Sequence, residues 1–339
     1  MSTGRPINPS SRSGTPGLWH WLILSAPSVM NETHPSPWRV LVTGASGYIG
    51  ANLVKRLVAQ GHEVHIVVRQ GSSTRLIASE LTALTVHVHN GSTQGMLDIV
   101  GAARPHTVFH LASLFLAQHK ASDIEALITS NVIFSTQLVE AMAAHGVTNL
   151  INTGTSWQHY EGQDYLPVNL YAATKQAFEA MLAYYTEAQG LKVNSLILFD
   201  TYGPNDPRAK LMALLWKTAL TQQPISMSPG EQQIDLVYID DVIDAFLMAA
   251  RLLPEQTQGH RRYGVSSGHP LPLKDLVAAF ERATGLNLPI EWGGRPYRPR
   301  EVMTTWVPHE CVPGWLARIP LETGVLMTQP VFDQSTTHR

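Results

Sequence analysis

Tyr171 and Lys175 lie four residues apart at the start of a long stretch with helical periodicity, 170–189. On a helix that spacing puts both side chains on one face, with phenol and ammonium in mutual reach. A free phenol titrates near about 10, too high to trade protons easily at neutral pH, and a nearby cation favours the phenolate and lowers that value. The pair therefore suits proton donation, and Lys175 can also hold a ribose. Just upstream, Ile151-Asn152-Thr153-Gly154-Thr155-Ser156-Trp157-Gln158-His159-Tyr160 reads as a strand end running into a hydroxyl-rich turn. A hydroxyl such as Thr155 in such a turn can hold a carbonyl oxygen, although Ser and Thr also serve turns for purely local reasons.

A second constellation points to a nucleotide. Thr43-Gly44-Ala45-Ser46-Gly47-Tyr48-Ile49-Gly50 follows an apolar strand and opens a helical pattern. Glycine is useful at each of its three places: a tight turn at Gly44, close approach of backbone to pyrophosphate at Gly47, and close packing of helix on sheet at Gly50. The free N–H groups and positive dipole end of the helix, at Ser46, Gly47, Tyr48, Ile49 and Gly50, would receive the diphosphate. The following strand ends Val67-Val68-Arg69-Gln70-Gly71. NAD binders usually place an acidic residue there for the ribose 2′-hydroxyl, whereas a guanidinium suits a 2′-phosphate. This favours NADP(H), with NAD(H) the alternative. Asn90, after the third strand, is placed to face adenine or to serve a turn.

The elements that must position these residues alternate. Strands are expected at Arg39 to Thr43, Glu63 to Arg69, Leu84 to His89, Thr107 to Ala112, Asn149 to Thr153 and Lys192 to Phe199. Between them the periodicity predicts helices at Gly47 to Gln60, Ser92 to Arg104, Ile124 to His145 and Leu170 to Gln189. Helical crossovers of that length imply an α/β fold with a doubly wound parallel sheet of the Rossmann type. After Gly203-Pro204 the rhythm changes to a helix at Leu211 to Leu220, a short strand at Gln233 to Val237, a helix at Asp240 to Leu253 and a strand at Arg262 to Val265. The expected division is a disordered extension over 1–37, a dinucleotide-binding domain over 38–203 completed by 238–265, a smaller substrate-binding lobe from 204–237 and 266–325, and a tail over 326–339. The apolar run Leu18 to Ala26 is too short to span a bilayer. It resembles a signal peptide only weakly, with His20 inside it and no cleavage motif after it.

With 339 residues, 24 basic and 26 acidic side chains, the chain has material for a sizeable core but no global field for nucleic acid or an anionic membrane. Phosphate must be gripped locally. The single cysteine, Cys311, excludes an internal disulfide framework, fits a reducing compartment and reads as a small buried hydrophobe. No metal is expected, and the cytoplasm is the expected location.

Taken together, the GxxGxxG turn, the Ser/Thr turn after the fifth strand and the YxxxK helix resemble the extended short-chain dehydrogenase/reductase family over roughly Val40 to Val325. The resemblance implies Thr155 as the hydroxyl that orients substrate, Tyr171 as acid/base, Lys175 as its partner and Asn131 as a helix residue near the active site. It also places His110-Leu111-Ala112-Ser113 beside the nicotinamide, with Ser113 near substrate too. Tyr202-Gly203-Pro204 and Val237-Tyr238-Ile239-Asp240-Asp241-Val242 match later landmarks, and Arg298-Pro299-Arg300-Glu301-Val302 looks like the segment whose first arginine binds a nucleotide diphosphate. Asn152 to Tyr160 and Pro167 to Lys175 look most like the nucleotide-sugar ketoreductases of the CDP-abequose and CDP-paratose synthase type, which reduce a 4-keto-6-deoxy sugar.

Two places depart from the wider family. Ile234 stands where epimerases carry a phosphate-binding arginine, leaving Arg298 with Lys210 or Arg208 to supply charge, and Asp200 replaces a common asparagine. Trp157 is expected to stack on sugar or base, or to pack the lobe. The resulting expectation is reduction of a nucleotide-linked 4-keto sugar by NADPH. The alternatives are an NAD-dependent epimerase, disfavoured by Arg69, a reductase of non-sugar carbonyls, disfavoured by Arg298, and a nucleotide sensor without chemistry, disfavoured by the intact Thr155, Tyr171 and Lys175. A dehydratase would carry an acidic pair where Ser156 and Trp157 stand. Surplus apolar residues on the two long helices predict a homodimer.

Overall fold

Strands with near-continuous burial are what a sheet covered on both faces requires. The computed structural model describes residues 37–257 and 259–330, so the expected extension, apart from Pro37, and most of the tail lie outside the described residues. Six strands arise in succession: β1 (Arg39–Thr43), β2 (Glu63–Arg69), β3 (Leu84–His89), β4 (Thr107–His110), β5 (Asn149–Thr155) and β6 (Lys192–Leu198). Four short strands follow, β7 (Asp200–Tyr202), β8 (Ile225–Met227), β9 (Gln233–Ile234) and β10 (Leu236–Tyr238), before β11 (His260–Val265), β12 (Leu271–Pro272) and β13 (Ile290–Trp292). The main sheet runs β11-β6-β5-β4-β1-β2-β3, with every pair parallel.

The helices are α1 (Tyr48–Ala59), α2 (Thr93–Ala103), α3 (Ile124–Ile128), α4 (Phe134–Ala144), α5 (Leu170–Gln189), α6 (Leu211–Thr221), α7 (Ile239–Leu252), α8 (Leu273–Thr284) and α9 (Leu321–Met327). Because side chains alternate along a strand, neighbours serve opposite cores. Leu41, Val108 and Leu150 pack with α2, α4 and α5, while Val42, Phe109 and Ile151 pack in the cluster that holds α1 and α7. This is the doubly wound sheet that the alternation of elements implied. Register brings the site together: Thr43 lies beside His110, and His110 beside Asn152. The chain segments leaving β1, β4 and β5 therefore emerge along one carboxyl edge, where open α/β sheets place ligands.

Four expectations change. The helix over 124–145 is interrupted by a π turn, Thr129–Ile133, of the kind often found at functional sites. By length and composition Ala121–Ala144 would suit a membrane span, yet its α4 portion packs against α2 and α5. The strand expected over 233–237 is broken at Asp235, whose buried carboxylate turns inward to accept from Ser266 Oγ and Ser267 N. Consequently β9 pairs antiparallel with β12, while β10 pairs parallel with β7. β4 ends at His110 because the chain turns toward β1, with Leu111 N donating to Thr43 O and Ala112 N to Thr43 Oγ1. Cys311 is exposed rather than buried, on a segment that bridges to Gly264.

Candidate active site

The glycine turn is shaped by contact as much as by dihedral angle. Gly44 has φ +75°, and a Cβ there would lie 2.5 Å from Ala112 N, so this turn abuts the end of β4. At Gly50 a Cβ would strike Gly44 O, which sets how closely α1 approaches the turn. Gly47, the exposed N-cap of α1, meets only Gly44 O at 3.3 Å and carries no side-chain cap. Ser46 and Ile49 are half-buried. This cradle fits a dinucleotide diphosphate: bare backbone faces outward at the positive end of a helix. The Tyr48 ring turns into the core instead, where its hydroxyl donates to Pro204 O at 3.1 Å and Arg208 lies 4.8 Å over it. Burial pushes this phenol up, leaving Tyr48 only its backbone N–H to offer a phosphate.

At the end of β2, Arg69 is exposed, and among the described residues its guanidinium has no hydrogen-bond or ion-pair partner. It is free to meet a ligand. Asn90 takes the turn role left open by the sequence: its Oδ1 accepts from Ser92 N at 3.0 Å and Ser92 Oγ at 2.8 Å, and Ser92 in turn caps α2 through Gly95 N.

Tyr171 and Lys175 are both carried on α5. Asn169 caps that helix by accepting from Ala172 N, and its amide donates to Ala117 O at 3.0 Å, tying the helix start to the loop after β4. Tyr171 stands edge-on to Phe115, ring centroids 5.0 Å apart, and Phe115 also touches Trp157 at 5.7 Å. Phe115 thus bridges the YxxxK helix and the turn after β5. Burial pushes the Tyr171 phenol up to about 12, with the nearby Ser113 hydroxyl opposing the rise. Burial brings Lys175 itself down to about 8, opposed by the Glu179 carboxylate.

Asn131, in the π turn and 1% exposed, explains how Ser113 is held. Its Oδ1 accepts from Leu114 N at 2.7 Å and Ser113 Oγ at 3.2 Å. Its amide donates to Leu114 O at 3.0 Å and Thr174 Oγ1 at 2.9 Å. One side chain therefore joins the segment after β4 to α5. Beside it, His110 is wholly buried between Thr43 Oγ1 at 2.7 Å and Ser135 Oγ at 2.8 Å. Burial, reinforced by Lys175, lowers it to about 3, which keeps it neutral. Thr155 forms a capping box: its N–H donates to Gln158 Oε1 at 2.9 Å, and its hydroxyl accepts from Trp157 N at 3.3 Å. The Thr155 proton thereby remains available to a ligand.

Outside this cluster opens a cleft of about 890 Å³, lined by Phe115, Trp157, Asp200, Lys210, Arg295 and Arg298 among others. It gathers four of the residues expected to meet substrate: Trp157, Asp200, Lys210 and Arg298. Ser113 and Thr155 lie apart from its lining. Arg298 forks onto Glu301, Nη2 to Oε1 at 2.7 Å and Nε to Oε2 at 3.1 Å, and lies 5.7 Å over the Trp157 ring. Lys210 pairs with Asp200 at 3.1 Å. Arg208 is committed to Asp206 and to Thr201 O, which leaves it little to give a phosphate. Sequence reasoning missed Arg295, a cleft cation whose side chain has no ion-pair partner among the described residues. Its place three residues before Arg298 in a basic, proline-rich run was the available signal. Phe115 carried no signal, since its role comes from the two rings that tertiary contact brings to it.

Residues 40–263 match the model of the NAD dependent epimerase/dehydratase family. The chain is 28% identical over 268 residues to CDP-abequose synthase of Yersinia pseudotuberculosis, covering 78% of this chain and 90% of that protein. It is 27% identical over 316 residues to UDP-glucose 4-epimerase of Mycolicibacterium smegmatis, covering 87% and 98% respectively. Among solved structures, the UDP-glucose 4-epimerase of Thermus thermophilus in complex with NAD superposes with a TM-score of 0.72 at 25% identity, covering 86% of this chain and 97% of that one.

Proposed function

The chain belongs to the NAD dependent epimerase/dehydratase family, enzymes of the extended short-chain dehydrogenase/reductase type, and on that premise we propose that it reduces a nucleotide-linked 4-keto-6-deoxy sugar to the 4-hydroxy sugar with NADPH. The observation that carries the reading is the Tyr171 phenol, kept protonated by burial and packed edge-on to Phe115, which itself lines a cationic cleft. A reductase needs a resting acid, whereas an epimerase must first remove a proton from a hydroxyl. The likeness to CDP-abequose synthase supports a keto-sugar substrate, and Arg69 in place of an acidic residue supports NADPH over NADH.

When bound, NADPH supplies hydride to the carbonyl carbon. As that C–H bond forms, the carbonyl π pair moves to oxygen and negative charge develops there. Thr155 donates a hydrogen bond to this oxygen, and Tyr171 transfers its proton to it, completing the alcohol. The Lys175 ammonium on the same helix face stabilises the phenolate left behind. His110, held neutral, adds no charge that would compete with Lys175. In the cleft, Arg298 and Arg295 meet the diphosphate and Trp157 stacks on sugar or base. Residues 38–203 with 238–265 serve the cofactor in this division of labour, and 204–237 with 266–325 the substrate.

We assign the enzyme to the cytoplasm and expect a homodimer. The exposed apolar side chains Ile124, Ile128, Ile133, Met181 and Tyr184 form the surplus on α3, the π turn and α5 that a two-fold partner would cover. Sedimentation at micromolar concentration should show twice the 37.3 kDa chain mass. A monomer alone would remove this part of the reading.

The functional test offers CDP-, GDP-, UDP- and dTDP-linked 4-keto-6-deoxy sugars with NADPH, followed at the nicotinamide absorbance. Stoichiometric NADPH consumption with one nucleotide is expected. Interconversion of 4-hydroxy epimers without net consumption would assign an epimerase instead.

A further inference from the structure

Lys175 and Glu179 repeat on α5 the spacing of Tyr171 and Lys175, so three ionisable side chains share one helix face. Lys175 is 4% exposed and Glu179 2% exposed. A buried ammonium without compensation loses its proton or must find a partner. Among the described residues the Lys175 ammonium makes no hydrogen bond. Glu179 Oε2 is 3.0 Å from Nε of Arg262, on the edge strand β11. Its Oε1 is buried without a hydrogen-bond partner, below Gly154, where an added Cβ would lie 3.5 Å from it. The carboxylate thus sits under the strand end that leads into Thr155, anchored on one side and open on the other.

We propose that Glu179 is a positioning residue that keeps the buried Lys175 cationic, with Arg262 as the anchor that keeps Glu179 itself ionised. The proposal rests on the reductase reading for its catalytic consequence and on the structure alone for its electrostatics. The groups that face this pair are few. Tyr171 and Glu179 lie on α5, His110 on β4, and Arg262 and His260 on β11. Ser195 of β6 and Gln158 of the turn after β5 complete the surroundings. His110 and His260, lowered by burial to about 3 and about 4, are neutral across the working range. Burial raises Glu179, while Arg262 first, then Ser195, Gln158 and Lys175, bring it back. Arg262 Nη2 also donates to Tyr165 Oη at 3.2 Å, so the loop after Thr155 is fastened to the same anchor.

NADPH binding to the full-length protein, followed by fluorescence across neutral and alkaline pH, reads the Lys175 charge without any sugar. In the wild type, affinity should fall as pH rises through about 8. With Glu179→Gln that alkaline limb should move down by about one pH unit, the size of shift a neighbouring opposite charge imposes, and Glu179→Asp should restore most of it. Since Glu179→Gln strands a buried guanidinium, the double variant Glu179→Gln/Arg262→Gln is measured beside it and should show a smaller displacement in the same direction, because the opposing Arg262 charge leaves with the carboxylate. The alkaline limb of kcat/KM should move in parallel. A limb that stays in place in either folded variant, with affinity lowered equally at every pH, would reduce Glu179 to a packing role and overturn the proposal. Wild type that binds NADPH yet reduces no keto-sugar would sink the functional reading and leave this one to the binding curve.

Discussion

The polar cluster around Tyr171 and the cleft around Arg298 are built on opposite principles. Around Tyr171 the polar groups are interior and tied to backbone: Asn131 makes four hydrogen bonds to the segment after β4 and to α5, and His110 is clamped at both ring nitrogens. Around Arg298 the cations are partly exposed and paired with carboxylates, Arg298 with Glu301 and Lys210 with Asp200. The first arrangement costs flexibility and fixes proton positions, since buried polar groups must be satisfied. The second leaves cations that can exchange a carboxylate for a phosphate at small cost, since partly exposed ion pairs hold weakly. On the proposed reading, chemistry is preorganised, while substrate recognition is held in reserve by exchangeable pairs.

The largest expected effect tests the rigid side. Tyr171→Phe keeps the ring against Phe115 and removes the proton donor, so turnover should fall by on the order of a hundredfold to ten-thousandfold, with NADPH binding by fluorescence titration nearly unchanged. Near-normal turnover would move the acid role to another group, with His159 or Tyr160 next in line.

Asn131→Ala should be the most damaging change to the scaffold. It strands Leu114 N–H and Leu114 O and takes one partner from the Thr174 hydroxyl, and should cost about 1–3 kcal/mol or more, the penalty of leaving buried groups unmet. Thermal unfolding measures it, and a Tm equal to wild type would deny the π turn its structural task.

On the exchangeable side, Arg298→Ala should raise KM for the nucleotide sugar by roughly tenfold to a hundredfold, as expected for losing a hydrogen-bonded charge, with kcat little altered. A fall in kcat at constant KM would place Arg298 on the rigid side instead. Arg69→Asp should have the smallest effect, shifting NADPH preference toward NADH by about tenfold. Unchanged cofactor preference would show that Arg69 is a solvated strand end.

How far each region could be read in advance follows the same divide. Composition and period were enough to locate β1 to β6, with the ends of β4, β5 and β6 shifted by one or two residues, and to give α5 to the residue, because each is a local run whose apolar pattern matches its own geometry. The glycine turn was legible for the same reason, since a turn at φ +75° against neighbouring backbone admits no side chain. The π turn was not legible. Its wide helical turn carries Asn131 to both Leu114 and Thr174, and the Ser135 hydroxyl meets the Asn131 carbonyl. None of these partners is visible in a helical repeat.

The order of strands and helices, the dinucleotide turn and the Tyr171 to Lys175 spacing are local facts, and the sequence alone determined them. Tertiary structure decided what meets the Tyr171 ring, since Phe115 reaches it edge-on from the loop after β4. It also decided that Glu179 and Arg262, 83 residues apart, meet at 3.0 Å behind the site. Ionisation in a protein interior depends on the distance to charges brought by other strands, a quantity that spacing along one chain does not contain.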